Sequence, residues 1–219
     1  MARILAVYAD RPDVLVLALP RGGVPVGYEV AHALKVPLDV SVVRKVGLPG
    51  HEEFAMGAVA GGGVTVLDQE VVSRFGLPPE VIEESIARER QELQRREAAY
   101  RQGRTEPDVA GKTVILVDDG LATGSTMKAA VAVLRQRGVG RVIVAAPVGS
   151  RETCETMRDV ADAVVCLRTP EQFFAVGEWY AEFSQTTDRE VSDLLSRAAR
   201  EAPIRPRRAS GDAAARRSP

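Results

Sequence analysis

The sequence predicts an α/β protein with an open, mainly parallel sheet flanked by helices and a helical insertion near residues 68–104. Three observations predict it. Continuous apolar runs recur, VLVLAL at 14–19, TVILV at 113–117 and RVIVAAP at 141–147. Short unbroken runs rich in β-branched residues read as strands buried on both faces, the pattern of parallel sheets. Stretches with helical spacing lie between most of these runs, and that alternation is the mark of a helix-covered parallel sheet. The third observation is a polar, capped stretch that interrupts the alternation between 68 and 104.

In chain order, residues 14–19 form the first strand, ended by Pro20, and Arg21-Gly22-Gly23 makes a tight loop. Residues 24–34 have helical spacing, with Pro25 tolerated in the first turn. Residues 38–43 read as the second strand, 54–60 as a third, and 64–67 as its pairing partner. Asp68 caps a short helix that runs to Phe75. Pro78-Pro79-Glu80 opens a long polar helix closed by Gly103. Its one thin apolar stripe is Ile82, Ile86, Leu93 and Ala98. Unsustained heptads speak against a coiled coil, so this helix should lie on the domain or on a partner subunit. A strand at 113–117, a helix at 126–137 ended by Gly138, a strand at 141–147, a helix at 152–160 and a strand at 163–167 complete the series. From about Ala202 the chain turns to Pro, Arg, Ser and Ala. The expected organisation is one domain over 1–201 and a disordered basic tail over 202–219.

Bulk properties narrow the function. With 219 residues, 45% hydrophobic and 27% charged, the chain is of ordinary globular composition. Its net charge of -1 provides no basic field for nucleic acid. No run approaches the roughly 18 apolar residues of a membrane span, and the first residues lack the pattern of a signal peptide. Cys154 and Cys166 show no CxxC spacing, so a disulfide framework is not expected, and both should act as small buried apolar residues. The expectation is a cytoplasmic protein.

The chemistry concentrates at 114–126, VILVDDGLATGST. A buried strand ends in two carboxylates, a loop of small residues follows, and a helix begins. Ligands of open parallel sheets bind outside the carboxyl ends of the strands. Gly120 and Gly124 permit close backbone approach, and Thr123, Ser125 and Thr126 put hydroxyls beside the amides of a helix start, which favours a phosphate. Asp118 and Asp119 would repel that phosphate but suit sugar hydroxyls, since an ionised carboxylate only accepts hydrogen bonds and a diol can donate two. Carboxylates followed by a phosphate cradle describe a ribose 5-phosphate site. Separately, Asp119 could cap the loop and Ser125 or Thr126 the helix.

This run resembles the phosphoribosyl pyrophosphate motif of the type I phosphoribosyltransferases, and LPRGG near the start is similar to a bacterial branch of that family. The resemblance covers about residues 14–60 and 112–185. It implies that Asp118 and Asp119 hold the ribose hydroxyls, and that Gly120, Ala122, Thr123, Gly124, Ser125 and Thr126 bind ribose and 5-phosphate. Arg21, Gly22 and Gly23 resemble the family's pyrophosphate loop, which can carry a non-proline cis peptide. Residues 43–53, VRKVGLPGHEE, resemble the family's cationic stretch and mobile loop. Arg44 and Lys45 would then neutralise pyrophosphate, and the loop would close to exclude water. Glu53, next to the following strand, is favoured over Glu52 as general base, and His51 is another proton-transfer candidate. Residues 173–183, FFAVGEWYAEF, resemble the stretch that stacks the acceptor, with Phe174, Val176 and Trp179 as candidates. The aspartate and lysine that guanine and hypoxanthine enzymes use have no clear counterpart. Ala181 stands at the aspartate's place, near Glu182, and Arg151 is the nearest basic residue. On the other reading Phe173, Phe174, Trp179 and Phe183 pack the insertion against the domain.

The resemblance implies transfer of ribose 5-phosphate to a nucleobase-like nitrogen, with Mg²⁺ held through substrate and water rather than a protein cage, and a homodimer. A second class, a non-catalytic phosphoribosyl pyrophosphate sensor, would need a DNA-binding segment, for which the Arg-rich tail is thin support. Gly111-Lys112-Thr113 lacks the P-loop glycine at Glu106, and no GxSxG elbow occurs.

Overall fold

The computed structural model describes residues 1–201, apart from the side chains of residues 52–54. The tail expected over 202–219 lies outside the described residues.

Five strands form a parallel sheet in the order β2-β1-β6-β7-β8: β1 Val14–Ala18, β2 Leu38–Val40, β6 Thr113–Val117, β7 Arg141–Val148 and β8 Ala163–Arg168. β1 and β6 are adjacent in register from Val14↔Thr113 to Ala18↔Val117, which brings their carboxyl ends together. The apolar runs are unbroken because each face meets helices. Val16, Ala18, Ile115, Val117, Ile143 and Ala145 pack with Val24, Tyr28, Ala31 and Leu34 of α1 (Gly23–Leu34) and Val191 and Leu195 of α6 (Asp188–Glu201). Leu15, Leu17, Val114, Leu116, Val142 and Val144 alternate with them. They pack on the other side with Met127, Ala130, Val131 and Leu134 of α4 (Ser125–Gln136) and Cys154 and Met157 of α5 (Arg151–Met157). This alternation is the period-2 geometry of a pleated strand.

A second, antiparallel sheet has the order β3-β4-β5: β3 Val43–Leu48, β4 His51–Ala60 and β5 Thr65–Leu67. It buries Val46, Leu48, Met56 and Val59 beneath Val71 and Val72 of α2 (Gln69–Phe75) and Ile82 of α3 (Pro79–Arg101). Asp68 caps α2, accepting from the amides of Glu70 and Val71.

Three expectations are corrected. The strand expected over 38–43 is two strands in different sheets, β2 ending at Val40 and β3 starting at Val43. The mobile loop expected within 43–53 is a hairpin: β3 and β4 pair antiparallel, with Leu48 opposite His51 and a register shift around Gly47. β-branched Val43 and Val46 and the Pro49-Gly50 turn account for this, with Gly50 at φ 81. The helix α6 was not foreseen. Val191 and Leu195, with the partly buried Leu194 and Ala198, give it a regular helical stripe, but among the described residues no further strand follows it to continue the alternation.

The long helix α3 lies over both sheets. Leu93 and Tyr100 join the main core, and Ile82 joins the core of the small sheet. Arg101 docks its C-terminal end: its side chain, 8% exposed, donates to Glu97 Oε1 at 2.6 Å and to the carbonyl of Val40 at 3.1 Å, and approaches Asp39 at 3.4 Å. Burial raises the Asp39 pKa even with this guanidinium beside it.

Candidate active site

The site is assembled at the carboxyl ends of β1 and β6. β6 delivers Asp118 and Asp119, and β1 delivers Pro20 through Gly23. The peptide between Pro20 and Arg21 is cis, as the resemblance implies. Gly22 and Gly23 are needed because the acid pair presses on them. A β-carbon on Gly22 would meet Asp119 Oδ2 at 1.8 Å, and one on Gly23 would meet the carbonyl of Val117 at 2.7 Å and Cα of Asp118 at 2.9 Å.

The carboxylates share one environment. The Asp119 amide donates to Asp118 Oδ1 at 2.9 Å. Burial, reinforced by the neighbouring Asp119, pushes the Asp118 pKa up to about 8. Burial raises Asp119 as well, opposed by hydrogen bonds from Asp118 and from backbone amides. The pair therefore has little solvation of its own and gains from a ligand that brings donors or positive charge.

The loop after the pair is fixed from behind. The carbonyl of Ala122 accepts from Thr153 Oγ1 at 2.5 Å and from Ser150 Oγ at 3.4 Å, both contributed by the start of α5. Leu121 bridges to Gly149 of the β7–α5 connection. Gly124 adopts φ 68, and a β-carbon there would strike Thr153 and Met157. Two constraints thus select glycine. The first turn of α4 then carries Ser125, Thr126 and Met127, whose amides precede the first intrahelical bond, from the Lys128 amide to the Gly124 carbonyl. Thr123 Oγ1 lies 3.2 Å from Ser125 Oγ.

Arg44 and Lys45 diverge, correcting the expectation that they act alike. Lys45 Nζ donates to Ser125 Oγ at 3.4 Å, so it reaches the first turn of α4. Arg44 is committed to Glu89 of α3, with contacts of 2.9 and 2.7 Å. Neighbours on a strand point to opposite faces, so one reaches α4 and the other α3. Glu53 belongs to β4 by its backbone, and its side chain, like that of Glu52, lies outside the described residues.

Of the acceptor candidates, Val176 is brought in, filling the space beside Gly120 where a β-carbon would lie 2.6 Å from its methyls. Phe174 is 78% exposed and Trp179 39%, and neither lines the two clefts that open at Pro20. That exposure also corrects the reading in which Phe174 packs the insertion against the domain. The aromatic that reaches the site is Tyr180, whose hydroxyl donates to the Asp119 carbonyl at 2.7 Å. Burial, followed by the charges of Asp119 and Asp118, pushes the Tyr180 pKa up to about 12, so it remains a donor. Phe183 lies against it, ring centroids 5.2 Å apart.

Two clefts open at Pro20, the second of them beside Asp119. One, about 400 Å³, is lined by Pro20, Val43, Arg44, Lys45, Gly47, Arg88, Glu89, Arg96 and Thr126. The other, about 720 Å³, includes Pro20, Arg21, Gly22, Arg96, Asp119, Tyr180 and Phe183. Arg96 was missed by sequence reasoning: on a helix polar almost all round, spacing does not say which arginine faces the sheet ends.

The phosphoribosyl transferase domain profile matches residues 1–182. The chain belongs to the phosphoribosyl transferase family. Proteins from two strains of Mycobacterium tuberculosis, provisionally named phosphoribosyl transferases, are each 46% identical over 188 residues, 86% of this chain. The chain spans 42% of the length of each of these relatives. The crystal structure of TT1426 from Thermus thermophilus superposes with a TM-score of 0.80 at 43% identity, covering 89% of this chain and 93% of that one. The five-stranded parallel sheet flanked by helices is thus the family's fold in this chain, and the run from Asp118 to Thr126 occupies the matched region.

Proposed function

We propose that the protein is a phosphoribosyltransferase. It binds phosphoribosyl pyrophosphate with Mg²⁺ and transfers ribose 5-phosphate to a nitrogen of a nucleobase-like acceptor, releasing pyrophosphate. The observation that carries this reading is the convergence of the buried acid pair, the Gly22-Gly23 loop and the first turn of α4 at one edge of the sheet.

In this reading the 5-phosphate rests on the amides and hydroxyls of Thr123–Thr126, with Ala122 held back by Thr153, and Lys45 adds positive charge. Asp118 and Asp119 accept from the ribose hydroxyls. The acceptor nitrogen bonds to C1 of the ribose as the C1–oxygen bond to pyrophosphate breaks, and the acceptor's proton passes to a base. Glu53 is the base proposed on sequence grounds. Positive charge growing on the ring is favoured by the two carboxylates, and negative charge on the leaving pyrophosphate by Arg21. Among the described residues no group of three or more His, Cys, Asp or Glu could hold a metal. As the resemblance implies, Mg²⁺ would be held through substrate and water, and the poorly solvated acid pair suits its bound waters as partners. When bound, it supplies charge neutralisation for the pyrophosphate. The acceptor would lie over Tyr180 and Val176. No helix among the described residues is long and apolar enough to cross a membrane, and a cytoplasmic location is part of the proposal.

The test is calorimetric titration with phosphoribosyl pyrophosphate and Mg²⁺, with ribose 5-phosphate for comparison, followed by a nucleobase panel scored by pyrophosphate release. Mg²⁺-dependent binding and turnover support the reading. Binding without turnover on any base would replace the enzyme with a sensor, and no binding by folded protein would overturn both.

A further inference from the structure

We propose that Arg96 of helix α3 grips the pyrophosphate of the bound sugar, so that the helix forms a wall of the leaving-group site. The inference rests on the reading above and goes beyond the residues of the family motif.

The two clefts share Pro20 and Arg96, which line both. The smaller is also lined by Lys45 and Thr126 of the proposed phosphate cradle, and the larger by Arg21, Gly22 and Asp119. A ligand with its 5-phosphate on α4 and its sugar at the acid pair must carry any second anionic group along the Pro20–Gly23 loop. Arg96 lines the same cleft as that loop.

Charge points the same way. The smaller cleft is lined by Arg44, Lys45, Arg88 and Arg96 against one lining acid, Glu89, which contacts Arg44 at 2.7 Å and Arg88 at 3.9 Å, whereas the larger cleft sets Arg21 and Arg96 beside Asp119, Glu182 and Glu190. The surplus in the smaller cleft selects an anion rather than an uncharged base. The Arg96 side chain is one-third exposed and is anchored through Nε to Glu92 Oε1 at 2.8 Å. Among the described residues its two terminal nitrogens have no acceptor, and they form the planar fork that suits two phosphate oxygens. Anchoring by Glu92 reduces the rotamer freedom lost when the fork engages.

The test compares three ligands, phosphoribosyl pyrophosphate with Mg²⁺, inorganic pyrophosphate with Mg²⁺, and ribose 5-phosphate, on wild type, Arg96→Gln, Arg96→Lys and Arg95→Gln. Arg95 is the control: it also binds Glu92, is 60% exposed and lines neither cleft. Arg96→Gln should weaken both pyrophosphate ligands about 10- to 100-fold and leave ribose 5-phosphate within about twofold. Arg96→Lys should recover part of the loss, and Arg95→Gln should match wild type. Unchanged pyrophosphate affinity in Arg96→Gln, or an equal loss for ribose 5-phosphate, overturns the inference and leaves the parent reading standing. Failure of wild type to bind any of the three overturns both.

Discussion

Gly22 and Asp119 sit so close that a methyl group on the glycine would overlap the aspartate: its carbon would lie 1.8 Å from Oδ2. Gly22 has φ −59 and ψ −34, ordinary helical values, so its backbone would accept alanine and the conflict is confined to the carboxylate. Gly22→Ala should therefore fold with a stability change within about 1 kcal/mol and lose sugar-phosphate affinity by about tenfold or more, as Asp119 swings away. Gly23→Ala meets main-chain atoms instead and should lower stability by about 1–3 kcal/mol. Parallel melting curves and titrations of the two variants separate the effects.

The acid pair predicts an unusual pH response. The Asp118 pKa is raised from 3.8 to about 8 by burial and by Asp119. A carboxyl group raised on folding stabilises the protein fully below its unfolded value, and that contribution is lost as pH rises through the folded value. The ligand-free protein should thus lose this contribution as pH rises from about 4 to about 8. Asp118→Asn should flatten that part of the melting-temperature profile. Under the proposed function the sugar hydroxyls donate to the ionised pair, so affinity should rise with pH over the same window, and binding at neutral pH should release a proton. Titrations in buffers of different ionisation heat measure that proton. Asp118→Asn with Asp119→Asn should abolish the pH effect and weaken ribose 5-phosphate.

Arg44 and Lys45, neighbours in sequence, should fail in different ways. Lys45→Met removes a charge beside Ser125 and should weaken phosphate ligands about tenfold, the loss shrinking at high salt. Arg44→Met leaves Glu89, whose side chain is 15% exposed, with only the longer 3.9 Å contact to Arg88, and should lower stability by about 1–2 kcal/mol with a smaller effect on binding.

Arg101 ties α3 to β2 through Asp39 and the Val40 carbonyl, and Glu97 of the same helix holds its guanidinium in place. Removing one member of a buried ionic cluster leaves the others uncompensated, so Arg101→Ala should cost about 3–5 kcal/mol. That corresponds to a fall of about 10 °C in melting temperature for a chain of this size.

Much of this was legible in the sequence, for identifiable reasons. The strands at 113–117 and 141–147 could be read because burial on both faces demands unbroken apolar runs. The acid pair and TGST run could be read because their chemistry is contiguous. The hairpin was not legible: Gly47, Pro49 and Gly50 looked like a loop, and without a recognised strand nothing shows that Arg44 and Lys45 face apart. Arg96 and Tyr180 owe their places to the docking of α3 and of residues 176–183, which only tertiary packing decides.

The hydroxyl of Tyr180 rests on the main chain of Asp119, so under the proposed function the segment facing the acceptor is braced on the residue assigned to the sugar. Specificity and sugar affinity are therefore not separate dials in this protein. Swapping residues 176–183 to redirect it to a new acceptor will also retune its hold on the donor, and a library screened for the first alone will drift in the second.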